Sequence, residues 1–337
     1  MNDDRTRPGD NHDPDPPAPA GWGQGGLPTA LIGQPWFDAH NHAHTLSWAD
    51  RERFAVAGCR GMVMVASGTH WIPSRPIRPD QYRFLWEQAL ARRPIVERQH
   101  GYAAGLSVGV QTGVRVTDPE SLLDALPEYC AEPSVLAVGE TGIRPTQQGE
   151  PWPLADQRAV VERQMAIAAD AGLPVILHTP SELQGPGVAA GSGPIHGYES
   201  DRHETGQPVL DGADANLEAV RIDVRAAAAA GLSENRVVAS HADATNAPYL
   251  LEETDCYVSV TLGNSWLTGV TVDTVAELVD RYGPERIMLD TDAANVMRSD
   301  VLAVKRAMLG LHRRGIDADA IRRIVAENPR TVFGFDE

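Results

Sequence analysis

Residues 36–42 read WFDAHNH, and this short stretch combines the composition of a buried strand with two closely spaced histidines. Alternate side chains of a β-strand point to the same side, so His40 and His42 can reach one metal ion together. Such a pair is weak evidence by itself, since histidines also cluster by chance in loops. The residues at the ends of the other apolar runs therefore decide how this stretch is interpreted.

Seven more apolar runs come after the first, and each is short enough for a strand. The predicted strands are residues 36–40, 61–66, 106–110, 135–139, 174–178, 236–240, 256–260 and 286–290. Longer stretches with helical periodicity separate them and include residues 156–171, 216–230 and 272–281. Continuous apolar strands alternating with helices are typical of a parallel sheet covered by helices. Eight such units predict an α/β fold, a single (β/α)8 or TIM barrel.

Two segments depart from this pattern. Residues 1–30 are acidic and rich in proline, with few large apolar side chains, which predicts a disordered tail and leaves residues 31–337 as the barrel domain. Residues 180–215 form a long glycine-rich insertion after the fifth strand, and residues 69–80 form a long loop after the second. Both come after the C-terminal ends of strands, where barrels of this kind bind substrates.

The charge of the chain limits its partners. The formal net charge is −17, and Lys305 is the single lysine. So acidic a surface repels nucleic acid at ordinary salt, because nonspecific binding rests on cationic side chains that neutralise phosphates. The same composition also suits very high salt, where the screening length falls to about 3 Å at 1 M. The charge then says little about the substrate, and no protein partner is predicted.

Other features of composition concern location and redox state. The sequence has no apolar run of about 18 residues and no signal-like start, so we expect a cytoplasmic protein without a membrane segment. Its three cysteines, Cys59, Cys130 and Cys256, form no CxxC pair and are interpreted as reduced, buried thiols.

Metal-ligand residue types come after four other predicted strands. Glu140 ends the fourth, His178 the fifth and His241 comes after the sixth, while Asp290 and Asp292 lie at the end of the eighth. The C-terminal ends of barrel strands meet at one mouth, so these side chains should converge with His40 and His42. Imidazole and carboxylate together suit Zn²⁺, Mn²⁺ or Fe²⁺. A bound ion would provide hydroxide at neutral pH, and a free carboxylate could take the proton of water.

These motifs resemble the signature blocks of the TatD family, within the amidohydrolase superfamily. The matching segments are residues 38–42 (DAHNH), 139–143 (GETGI), 173–178 (LPVILH), 289–293 (LDTDA) and 327–334 (ENPRTVFG), together with Gln157 and Gln164 before the fifth strand. The resemblance covers roughly residues 36–335. It implies a divalent-metal-dependent hydrolase in which metal-activated water attacks a phosphoester, as in a deoxyribonuclease.

The resemblance also implies a role for each ligand. His40 and His42 would bind a first ion, His178 and His241 a second, and Glu140 would bridge the two. Asp292 would bind the first ion and handle the proton of the attacking water, so Glu140 and Asp292 are the predicted catalytic residues. Two divalent ions are expected, zinc first, with manganese or magnesium as alternatives. Asp290, one layer deeper, is expected to support the site. A carbamylated lysine bridge is unavailable, since Lys305 lies after the eighth strand.

Departures from the family pattern leave the substrate open. The fourth-strand block usually continues to an aspartate, whereas Arg144 and Pro145 stand here. Arg144 could bind a phosphate or carboxylate, or form a surface salt bridge. His70 and Trp71 could contact substrate or pack their loop, and Arg75, Arg78 and Arg83 could hold a short nucleic-acid end. The alternatives are a hydrolase of a small amide, lactone or phosphoester, and a metal-binding barrel without catalysis.

Overall fold

The computed structural model describes residues 29–66, 77–113, 115–147, 152–180, 207–210, 214–264, 268–295 and 299–335. The predicted tail falls outside this range except for residues 29 and 30, as does most of the predicted insertion. His70, Trp71 and Arg75 also lie outside it. The limits of the tail, the domain and the insertion stay predictions.

Eight parallel strands form one sheet within the described residues, in the order β1 to β8. They are β1 (Trp36–Asn41), β2 (Cys59–Val65), β3 (Ala103–Val108), β4 (Val135–Thr141), β5 (Val175–His178), β6 (Val237–Ser240), β7 (Tyr257–Thr261) and β8 (Ile287–Asp290). Nearly all of their side chains are buried, as expected for strands covered on both sides. The predicted (β/α)8 barrel is confirmed.

The third strand begins three residues before its predicted start. Ala103, Ala104 and Gly105 carry little apolar side chain, so this part looked too weak for a strand. These three residues nevertheless belong to β3, because they pair with residues 61–63 of β2. A Cβ at Gly105 would meet Leu136 of β4 at 2.0 Å, so the small residue leaves room for a neighbouring side chain.

The barrel closes between its first and last strands at the mouth. The N–H of Asp292 donates to the carbonyl of His40 at 2.9 Å, and the N–H of His42 donates to the carbonyl of Ala293 at 2.8 Å. These backbone hydrogen bonds place the end of β1 beside the residues just after β8, so closure of the sheet also assembles part of the mouth.

Helices surround the sheet on its outer side. Among the described residues they are α1 (Trp48–Val56), α2 (Pro79–His100), α3 (Pro119–Cys130), α4 (Leu154–Ala171), α5 (Ala215–Ala229), α6 (Ala247–Glu253), α7 (Val272–Tyr282), α8 (Ala303–Arg313), α9 (Ala318–Arg322) and α10 (Asn328–Phe333), with a π-helical turn, Arg323–Glu327, between the last two. The three helices predicted by range are present. None of the described helices is long and apolar enough to cross a membrane.

A two-stranded antiparallel ribbon lies beyond the main sheet. Thr146–Gln147, after β4, pairs with Gln207–Pro208 near the end of the predicted insertion. The N–H of Val209 also donates to the carbonyl of Pro145 at 2.7 Å. The described end of the insertion is thus attached to the loop that comes after β4, the strand that carries Glu140.

Candidate metal centre

The six predicted ligands converge at the mouth of the barrel. They are His40 and His42 at the end of β1, Glu140 on β4, His178 on β5, His241 after β6 and Asp292 after β8. All except His178 have at most 3 % of their surface exposed. Burying so many ionisable groups is costly unless they pair with one another or bind a cation.

These residues include two trios that could each hold a metal ion. Within a trio, every residue offers one ligand atom, and the three atoms lie within 4.8 Å of one another. One trio is His40, His42 and Asp292, and the other is His40, Glu140 and His241. His40 belongs to both. Its Nε2 atom lies 3.8 Å from Oδ1 of Asp292 and 3.9 Å from Oε1 of Glu140, and it is buried without a hydrogen-bond partner among the described residues. An unpaired imidazole nitrogen that faces two carboxylates is the arrangement expected where His40, Asp292 and Glu140 bind a cation.

The hydrogen bonds of His42 lead to the same conclusion. Its Nδ1 atom lies 2.8 Å from the carbonyl of Val65, which can only accept, so Nδ1 carries the hydrogen. In the neutral ring Nε2 therefore presents a lone pair to Oδ1 of Asp292, 3.2 Å away. Burial lowers the pKa of His42, but the hydrogen bond and charge of Asp292 outweigh it and raise that pKa. The site therefore demands positive charge here, from a proton or a metal ion.

His241 is held in the same way by a chain of hydrogen bonds. Asp290 accepts the hydroxyl hydrogen of Thr261 at 2.7 Å, so Thr261 can accept from Nδ1 of His241 at 2.8 Å. Nε2 of His241 then faces Oε1 of Glu140 at 2.8 Å. Although burial lowers the pKa of His241, Glu140 and Asp292 raise it to about 9. A divalent cation could replace the proton that this pairing requires.

Glu140 presents its two oxygens to different partners. Oε1 faces His241 and also Nδ1 of His178, 2.5 Å away, whereas Oε2 accepts from the side-chain amide of Gln111. Burial raises the pKa of Glu140, but the neighbouring histidines, His178 first, lower it well below its ordinary value. Glu140 thus remains a carboxylate with one oxygen aimed into the histidine cluster.

His178 lies at the edge of the centre, outside both trios. Burial, and then the charge of Arg144, lower its pKa to about 4, so its ring is neutral at physiological pH and donates to Glu140. Arg144 itself lies in the loop after β4, and its backbone N–H donates to Gln157. Its charge therefore acts on a predicted ligand, His178.

The loops that carry these ligands are held from below by buried polar side chains of helices. Gln164 of α4 accepts from the N–H of Val110 at 2.8 Å and donates to Oγ1 of Thr141 at 2.7 Å. Gln157 of the same helix accepts from the N–H of Arg144 at 2.8 Å. The two glutamines noted in the sequence thus support the loops after β3 and β4.

Two ligands adopt backbone conformations that are unusual for residues with a side chain. His241 has φ of 63° and Asp292 has φ of 45°, both in the left-handed region. Such residues concentrate at functional sites, where the surrounding structure enforces them. Asp290, in contrast, lies deeper and accepts from Ser259 and Thr261 at 2.6 and 2.7 Å, as its predicted supporting role requires.

Sequence reasoning missed the polar side chains that hold the ligands. Gln111 and Asn264 contact Glu140 and Asp292 from the loops after β3 and β7. No ligand was expected after these two strands. The signal of a polar residue just past an apolar run could have found Gln111, which follows the third predicted strand directly, but not Asn264, which comes after Thr261, Leu262 and Gly263.

With this geometry in place, comparison with known proteins identifies the family. The family model described as TatD related DNase matches residues 37–334. The chain belongs to the TatD-related DNase family. As a member it is an enzyme, a metal-dependent hydrolase with the amidohydrolase fold.

Several relatives of this TatD-family protein share most of its length. An uncharacterized metal-dependent hydrolase of Methanocaldococcus jannaschii is 24 % identical over 300 residues, which cover 88 % of this chain and 98 % of the relative. A TatD-like protein of Archaeoglobus fulgidus has a similar fold, with a TM-score of 0.60, 19 % identity and coverage of 89 % of this chain and 100 % of that one. The phosphotriesterase homology protein of Escherichia coli was solved with phosphate in its active site. It has a TM-score of 0.60 and 15 % identity, and the match covers 89 % of this chain and 99 % of that one.

Proposed function

We propose that this TatD-family hydrolase cleaves a phosphoester bond with two divalent ions, zinc first, with manganese or magnesium as alternatives. One observation carries the proposal: two buried trios of carboxylate and imidazole share His40. The family description and the phosphate held by the Escherichia coli protein support the same bond type.

The donor atoms of the two trios fit such ions. We assign His40, His42 and Asp292 to one ion and Glu140 and His241 to the other, with Glu140 shared. His178, at the edge of the centre, is the further ligand that the family resemblance implies for the second ion. Bound divalent ions lower the pKa of water and stabilise negative charge on the reacting oxygens. The hydrogen bonds from His42 to Val65 and from His241 to Thr261 keep both rings oriented towards the carboxylates.

The chain itself would supply proton transfer and binding of the substrate anion. Burial raises the pKa of Asp292, but His42 and His241 lower it well below its ordinary value, so the carboxylate is ionised and can accept a proton from water. Arg144 would bind phosphate oxygens through its planar guanidinium group. We propose a small phosphoester or a short nucleic-acid end as substrate.

Binding of a short nucleic-acid end by Arg75, Arg78 and Arg83 stays a prediction. Arg78 donates to Asp80 at 3.0 and 3.1 Å, which offsets its charge, and Arg75 lies outside the described residues.

The cytoplasmic location of the protein stays a prediction.

The test is a substrate panel with zinc, manganese or magnesium. It would contain p-nitrophenyl phosphate, bis(p-nitrophenyl) phosphate, a short single-stranded DNA, a cyclic amide and a lactone. We expect turnover of a phosphoester, reduced about 100-fold or more in Asp292→Asn without loss of metal. Turnover of the amide or lactone alone would favour the small-molecule alternative. Metal binding without any turnover would favour the non-catalytic barrel.

A further inference from the structure

We propose that Asn264 is a positioning residue that orients the carboxylate of Asp292. The inference rests on the proposed function, in which Asp292 accepts the proton of the attacking water. Asn264 lies in the loop after β7, is completely buried and belongs to neither ligand trio.

The amide of Asn264 contacts Asp292 twice. Nδ2 donates to the backbone carbonyl of Asp292 and, at 3.3 Å, to its side-chain Oδ2. Both of these oxygens can only accept when Asp292 is ionised, so the NH₂ end of the amide, and not its oxygen, must face Asp292. The chemistry of these two acceptors thus fixes the orientation of the Asn264 amide.

These contacts make the two carboxylate oxygens of Asp292 inequivalent. Oδ1 faces His42 at 3.2 Å and His40 at 3.8 Å, while Oδ2 faces Asn264. Rotation of the carboxylate plane out of this orientation would break the contact with Asn264. Since a carboxylate oxygen has two lone pairs, Oδ2 can accept from Asn264 and still accept a proton. Asn264 therefore holds the carboxylate plane so that one oxygen faces the histidines of the trio and the other lies outside it.

The loop of Asn264 is fitted closely to the residues it holds. A Cβ at Gly263 would lie 2.1 Å from the carbonyl oxygen of Thr291, so only glycine lets this loop approach β8 so closely. The N–H of Asp300 donates to the carbonyl of Gly263 at 2.9 Å and fixes the loop from its other side. Asn264 thus reaches Asp292, whose backbone is left-handed, from a loop packed against the residue just after β8.

The hydrogen bonds of the Asn264 side chain point to Asp292 alone within the described part of the chain. Its Nδ2 donates to Asp292 twice, and its buried Oδ1 has no hydrogen-bond partner among the described residues. The contacts of this amide that the structure describes thus serve one residue, a predicted ligand.

The experiment compares Asn264→Ala with a matched control, Asn328→Ala. Asn328 is also buried, and its Nδ2 donates to the carbonyls of Pro284 and Ile287, both at 2.7 Å, at the N-terminal end of β8, opposite the end that leads to Asp292. Three properties would be measured: metal content, kcat and KM on the phosphoester that the wild type hydrolyses best, and the visible absorption spectrum of the cobalt-substituted protein.

We expect the Asn264→Ala protein to retain its metal. Its kcat should fall about 10- to 100-fold with KM nearly unchanged, and its cobalt spectrum should change, because Asp292 is no longer held in one orientation. Asn328→Ala should lower the melting temperature and leave kcat and the spectrum as in the wild type. A wild-type kcat and spectrum in Asn264→Ala would overturn the inference, as would equal losses of kcat in both variants. If the wild type hydrolyses no phosphoester, the proposed function fails, while a spectral change confined to Asn264→Ala still supports the positioning of Asp292.

Discussion

Asp38 accepts two hydrogen bonds from Thr291, one from its backbone N–H at 2.9 Å and one from its hydroxyl at 2.6 Å. Both residues are completely buried. The pair joins β1 to the residue just before Asp292, at the seam where the barrel closes. Stability of the fold and placement of a predicted ligand therefore depend on the same contact.

Replacing Thr291 tests this dependence. Thr291→Val removes the hydroxyl that Asp38 accepts and that also accepts from the N–H of Ala293 at 3.2 Å. We expect a loss of about 1–3 kcal/mol in the free energy of unfolding, measured with urea, because buried polar groups lose their partners. Thr291→Ser keeps the hydroxyl, so its free energy of unfolding should fall much less. Equal stability of wild type and Thr291→Val would show that the seam does not rely on this bond.

Metal content tests the ligand assignment. Elemental analysis should find close to two ions per chain in the wild type, and His42→Ala should fall towards one, because it leaves the trio around Glu140 intact. His178→Ala should also fall towards one. His312→Ala, on α8, is the control and should keep both ions. A full complement of metal in His178→Ala would remove that residue from the ligand set.

Arg144 should affect binding of an anionic substrate more than turnover. For the phosphoester hydrolysed by the wild type, we expect Arg144→Ala to raise KM about 10- to 100-fold, since it removes charge-assisted hydrogen bonds. Arg144→Lys should recover part of this loss. Arg158→Ala, whose side chain is 52 % exposed on α4, is the control for net charge. An unchanged KM in Arg144→Ala would assign this arginine to support of the loop.

Asp223 of α5 should make stability depend on pH. Its two oxygens accept from the N–H of Ile143 at 3.0 and 3.1 Å, and burial raises its pKa to about 8. Between about pH 4 and pH 8 the folded carboxyl holds a proton that the unfolded one has lost, so rising pH disfavours folding by up to about 1.4 kcal/mol per pH unit. Above pH 8 both forms are ionised and this loss stops growing.

Asp223→Asn removes that titration while keeping an acceptor for Ile143. We therefore expect the variant to gain stability relative to the wild type as pH rises from 5 to 8, in urea unfolding series at each pH. If the free energies of unfolding of the two proteins change with pH in parallel across this range, Asp223 is already ionised in the folded state.

Much of the site could be predicted because its ligands belong to local patterns. Each strand is a short apolar run, and His40, His42, Glu140, His178 and His241 lie at or just past the end of one. In a parallel barrel those ends meet at one mouth, so position in the sequence implies position in space. Asp290 and Asp292 could be separated only by analogy, because their spacing alone places both on one side of a regular strand.

The sequence by itself determined the barrel, the mouth and the residue types that gather there, since these follow from the period of buried strands and from the chemistry of metal ligands. Only the tertiary structure decided which atoms face one another. The left-handed backbone of Asp292 and the support of Gln111 and Asn264 arise where loops from different strands meet. Such contacts join residues far apart in the chain, and no local periodicity encodes them. For that reason Asn264 became visible only once the loops after β7 and β8 were seen packed together.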